Sequence, residues 1–156
     1  MLPSMAKGRA AADDSDHLRL EGEVVGLWFE MQARLEGHFS ELAAQYKLSP
    51  AQAKVLLVLQ PETAMTMRSI AGALQYDASN LTGVVDRLEE MGAVHRQPHP
   101  SDRRAKGVVL TAEGQRMRRA FWERLTSNTG PLGRLRDGEL VSLRRLLGTA
   151  LRRPAQ

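Results

Sequence analysis

Ser79, Asn80, Thr82 and Gly83 open a stretch in which small polar residues alternate with the apolar Leu81, Val84, Val85 and Leu88. On a helix advancing about 100° per residue, with Leu81 at the centre of the buried face, Ser79, Gly83, Asp86 and Arg87 lie opposite it and Asn80 and Thr82 flank it. Small residues let a backbone approach closely, and Ser, Asn and Thr can donate to and accept from base edges in a DNA major groove. Taken alone, the same face reads equally well as an ordinary solvated one. A second group adds weight: His95, Arg96, His99, Arg103, Arg104 and Lys106 lie close together, opposed only by Asp102. A basic cluster of this kind suits phosphates and a narrow minor groove, where guanidinium is favoured.

Other chemistries find little support. The chain has no cysteine, which excludes disulfides, thiolate metal sites, iron–sulfur clusters and a cysteine nucleophile. The four histidines, His17, His38, His95 and His99, put no two ligands on one helix face. Glu36, His38 and Glu41 read as a solvated face, so no metal site is expected and metal sensing is a minor alternative. No nucleophile elbow, phosphate loop or dinucleotide fingerprint is present. An enzyme is therefore not expected, and no cofactor is called for.

With 156 residues, 42% hydrophobic and 26% charged, the chain suits one domain with a real core. Lys and Arg total 22 against 18 acidic residues, a net charge of +4 that favours polyanionic partners such as double-stranded DNA. The charge alone would equally allow a sequence-tolerant architectural DNA-binding protein. No apolar run approaches the roughly 18 residues of a membrane span, so no membrane partner is expected. The first 17 residues lack a secretory pattern and read as a flexible tail, with the cytoplasm as the default location.

The elements that must position these groups follow from periodicity. Leu20, Val24, Leu27, Met31, Leu35, Phe39, Leu42 and Tyr46 predict one long amphipathic helix from Leu18 to Tyr46. Ser49, Pro50 and Gln52 form a capping box for a second helix, from Pro50 to about Leu59. Thr66 caps a third helix, carrying Met67, Ile70, Ala71 and Leu74, and a short turn at Gln75 and Tyr76 leads to a fourth, capped by Asp77 and closed by Gly92. Residues 93–97 and 107–110 predict a two-stranded hairpin with a basic tip, the position of a wing after a helix-turn-helix. Thr111 caps a fifth helix ended by the cluster at 128–131, and Leu140, Leu143, Leu147 and Leu151 mark a last one from about Asp137.

Residues 67–114 resemble the winged-helix core of the multiple-antibiotic-resistance regulator (MarR) family. The resemblance is carried by Asn80-Leu81-Thr82, by Val84 through Glu89 to Gly92, by Pro100-Ser101-Asp102-Arg103-Arg104, and by Val109-Leu110-Thr111 to Gly114. His99 stands where the family often has an acidic residue before the wing proline. The fold implied is mainly α, a winged helix-turn-helix core (49–111) with a two-stranded β-wing, flanked by N- and C-terminal dimerisation helices (18–48 and 112–156) within a single domain (18–156). The function implied is a homodimeric regulator, usually a repressor, released from DNA by a small aromatic or phenolic effector. Position by position, Ser79, Asn80, Thr82 and Gly83 become base-reading candidates, with Arg87, Arg103, Arg104 and Lys106 as further DNA contacts. One wing arginine would enter the minor groove and the other would fix the loop against Asp86 or Asp102. Trp28, Met31, His38, Met65, Phe121 and Trp122 are candidates for an effector pocket, although such residues equally suit a core or dimer interface.

Overall fold

The computed structural model describes residues 5–99, 102–127 and 130–152, with side chains for 15–77, 79–98, 106–127 and 130–152. The chain divides into two units, residues 38–129 and residues 1–37 with 130–156. Helix α1 (Met5–Gln45) contributes to both. Helix α5 (Ala112–Ser127) lies within residues 38–129. Phe121 of α5 is fully buried, edge-on to Phe39 and Tyr46, with ring centroids 5.4 Å away in each case. The Tyr46 hydroxyl also donates to the Ala120 carbonyl at 3.1 Å.

Within residues 38–129, α2 (Pro50–Val58) begins at the expected capping box. Ser49 Oγ accepts from the Gln52 N–H at 3.2 Å, and Gln52 Oε1 accepts from the Ser49 N–H at 2.7 Å. Strand β1 (Met65–Thr66) runs into α3 (Met67–Leu74), with Thr66 Oγ1 accepting from the Ser69 N–H. Gln75 ends α3 in the left-handed region, at φ 55°, and turns the chain toward α4 (Ala78–Glu90). Asp77 occupies the cap position of α4 without a side-chain capping bond, a departure from the expected cap.

The wing hairpin is formed by β2 (Val94–His99) and β3 (Asp102–Leu110), both longer than expected. The antiparallel sheet has the order β1-β3-β2, so β1 adds a third strand to the expected two, pairing Met65 with Val108 and Thr66 with Gly107. Two residues are too few to carry an alternating pattern. The β2–β3 register shifts between Pro98 and His99, which places residues 103–105 between the paired positions 102 and 106.

Leu42, Leu56, Leu59, Ile70, Leu81, Val85, Leu88, Val94, Val108 and Phe121 belong to one buried cluster within 38–129. The other unit holds the first part of α1, a 3₁₀ turn (Gly130–Arg134) and α6 (Asp137–Ala150). None of its described side chains is buried. Helix α1 starts at Met5, inside the segment expected to be a flexible tail, because Ala10, Ala11 and Ala12 favour helix without supplying the apolar period that marks one.

Candidate nucleic-acid interface

Helix α4 buries one face completely, with Leu81, Val85 and Leu88 all at zero exposure. A 13-residue helix anchored in this way must turn its other residues outward. Ser79, Asn80, Thr82, Gly83, Asp86 and Arg87 are all exposed. A Cβ built at Gly83 would meet nothing within 4 Å, so its backbone is open to an approaching partner. The helix end is held by Gly92, at φ 70°, where a side chain would be strained.

Position alone does not set the charge on this surface. Arg87 donates to Glu90 at 2.7 Å in a solvent-exposed i,i+3 pair, which is weak and readily exchanged for another anion. Asp86 pairs with Arg96, whose guanidinium donates to Asp86 Oδ1 at 2.6 Å and to Glu89 Oε2. The Arg96 backbone N–H also donates to Glu89 Oε1, at 3.0 Å. Desolvation would lower the Arg96 pKa, but the hydrogen bonds and charges of Asp86 and Glu89 outweigh it and raise the value. Sequence reasoning placed Arg96 among the basic residues of the wing without giving it this role. Its partners are ten and seven residues earlier, across a turn, and no local spacing rule links them.

Lys106 is exposed on β3, opposite Pro98. Asp102, Arg103 and Arg104 lie in β3, and their side chains are outside the described residues, as is the suggested pairing of a wing arginine with Asp86 or Asp102.

The suggested effector residues fall in different environments. Phe121 is sealed in the core, Met65 is half-buried in β1, Trp122 is 53% exposed, and Trp28 and Met31 belong to the unit outside the winged core. His38 lines a polar cavity of about 130 Å³ with Glu41, Leu42, Gln45 and Arg124. A second cleft, of about 330 Å³, lies between the starts of α2 and α4, lined by Ala51, Gln75, Tyr76, Asp77, Asn80 and Val84. Among the described residues no cluster of His, Asp and Glu could hold a metal ion, and no helix is long and apolar enough to cross a membrane.

Comparison with known proteins agrees with this architecture. Residues 48–106 match the MarR family. The HTH-type transcriptional regulator PecS of Dickeya dadantii is 30% identical over 129 residues, 80% of this chain and 78% of PecS. Among solved structures, wild-type MarR from E. coli superposes with a TM-score of 0.72 at 25% identity, covering 81% of this chain and 94% of MarR. CouR from Rhodococcus jostii RHA1, solved bound to p-coumaroyl-CoA, gives 0.72 at 26% identity, covering 88% of this chain and 98% of CouR. With a solvent-facing helix-turn-helix, a wing and relatives of this kind, the chain belongs to the MarR family of winged-helix, DNA-binding transcriptional regulators and is not an enzyme.

Proposed function

We propose that the protein is a cytoplasmic homodimeric repressor that binds a pseudo-palindromic operator and is released by a small aromatic or phenolic ligand. The observation that carries the DNA-reading part is the first half of α4, where Leu81 is wholly buried while Ser79, Asn80, Thr82 and Gly83 face solvent. These four read base edges in the major groove. Arg87 and Lys106 add phosphate contacts, and Arg103 and Arg104 bring the wing to the flanking minor groove. Asp86 and Asp102 keep the wing in place.

The dimer reading is supported by the unit outside the core. Leu27 and Phe29 of α1 are each 66% exposed, and no residue of α6 is fully buried. Apolar faces of this extent call for a partner, and a second copy related by a two-fold axis covers both chains' faces at once and presents two recognition helices. The effector reading rests on kinship with CouR, which was solved bound to p-coumaroyl-CoA.

Sequencing the duplexes that the purified protein selects from a genomic library tests the central claim. The expected result is a two-fold-symmetric site preferred over unrelated duplex by about a thousandfold or more. Equal binding to all duplexes would identify an architectural protein instead.

A further inference from the structure

Arg96 joins two elements that the DNA reading treats separately. It stands on β2, yet every hydrogen bond described above for its side chain and its backbone N–H ends on α4. One attachment is through the main chain, so the strand itself is held and not only a flexible side chain. The two carboxylates are three residues apart on one helix, and the separated donors of a guanidinium fork span them better than a single ammonium point charge. The site is also partly sheltered: the Arg96 side chain is 21% exposed, against 71% for the neighbouring Arg87. Charge-assisted bonds screened less by solvent hold geometry better than exposed pairs do.

Charge gives the arrangement a second consequence. Asp86 and Glu89 are carried by the helix that would lie nearest to DNA phosphates, and each would repel them. Arg96 offsets one of those two charges while holding the strand.

We propose that Arg96 is a positioning residue for DNA recognition, fixing β2 against α4 so that the wing meets the duplex at a set distance from the bases that α4 reads. This rests on the reading of α4 as the base-contacting helix. A purely stabilising ion pair would leave the shape of the DNA contact unchanged, whereas a positioning clamp determines how the inner and outer parts of each half-site are engaged together.

The test combines hydroxyl-radical footprinting on the selected operator with amide hydrogen exchange on the free protein, for wild type, Arg96→Gln, Arg96→Lys and Glu89→Gln, with melting curves to establish that each variant is folded. In Arg96→Gln, amides of residues 95–97 are expected to exchange about tenfold faster, the effect of losing one charge-assisted bond. Protection centred on α4 is retained, while protection on the flanks weakens selectively. Arg96→Lys should restore the flanks only in part. Glu89→Gln, which weakens the charge holding the strand but leaves Asp86, should lie between wild type and Arg96→Gln. A folded Arg96→Gln whose inner and outer protection fall in parallel, or do not change, overturns the proposal. If wild type itself gives no bounded footprint, it is the reading of α4 that fails, and exchange alone then decides whether Arg96 anchors the strand: faster exchange supports the anchor, and unchanged exchange overturns it.

Discussion

Gly114 and Ala93 approach so closely that a Cβ on Gly114 would lie 1.9 Å from the Ala93 carbonyl oxygen. The contact joins the start of α5 to the turn that follows α4, and Thr111 reinforces it. The Thr111 hydroxyl donates to the Gly92 carbonyl at 2.6 Å and accepts from the Gly114 N–H at 3.0 Å. The obstacle is backbone, so it cannot swing aside. Gly114→Ala should therefore cost about 1–3 kcal/mol or more through overpacking, read as a lower urea midpoint with an unchanged slope.

Asn80 and Leu81 are adjacent yet should fail in different ways. Asn80→Ala should leave melting nearly unchanged, cost about 1–3 kcal/mol on the operator and relax preference at one base pair per half-site. Leu81→Ala should cost about 2–5 kcal/mol of folding stability. Binding measured on a panel of mutated operators separates the two; an Asn80→Ala protein with unchanged ranking and affinity would remove this residue from direct readout.

Deleting residues 137–156 removes α6 and should yield a monomeric or aggregating protein with much weaker operator binding. Light scattering on the truncated chain measures this directly, and a soluble truncated dimer would overturn the role given to α6.

In the proposed two-fold complex, Arg103→Ala and Arg104→Ala would each remove two cationic contacts. Each should reduce the slope of log K against log salt by up to about 1.8. Titrations at several salt concentrations, alongside melting curves, distinguish phosphate contact from hairpin stiffening, which would lower stability and keep the slope.

At the start of α6, Glu139 accepts from the Arg136 guanidinium at 2.9 Å and from its backbone N–H at 2.8 Å, and these bonds hold its carboxyl below the ordinary value. A lowered folded pKa means stabilisation that is complete above the unfolded carboxylate pKa and lost as pH falls through the lowered value. The first turn of α6 should therefore fray on acidification. Amide exchange at residues 138–141 as a function of pH should follow this in wild type and be flatter in Glu139→Gln.

Much of the fold was legible because its punctuation is local. Ser49 with Gln52, Thr66, Gly92 and Thr111 act within three or four residues, so element starts and stops could be read at those points. Leu81, Val85 and Leu88 announced the buried face of α4, and the exposed residues followed by geometry. What escaped depends on distance in the chain or on missing pattern. β1 is two residues held by pairing to β3, more than forty positions later. Arg96 finds its carboxylates across a turn, and Phe121 of α5 meets the rings of Phe39 in α1 and of Tyr46 just beyond it, all distant in the chain. The early start of α1 is an alanine-rich segment whose helicity leaves no periodic trace.

The outer edge of β2 has a consequence for solubility. Val94, Arg96 and Pro98 share one parity along the strand, and the Arg96 N–H, donated to Glu89, marks that parity as facing away from β3. Proline has no N–H to offer, and the amide at 96 is already engaged, so two consecutive outward positions have no free N–H to donate to an incoming strand. On the far side, β1 covers part of β3. A sheet terminated in this way is a poor template for edge-to-edge growth between copies.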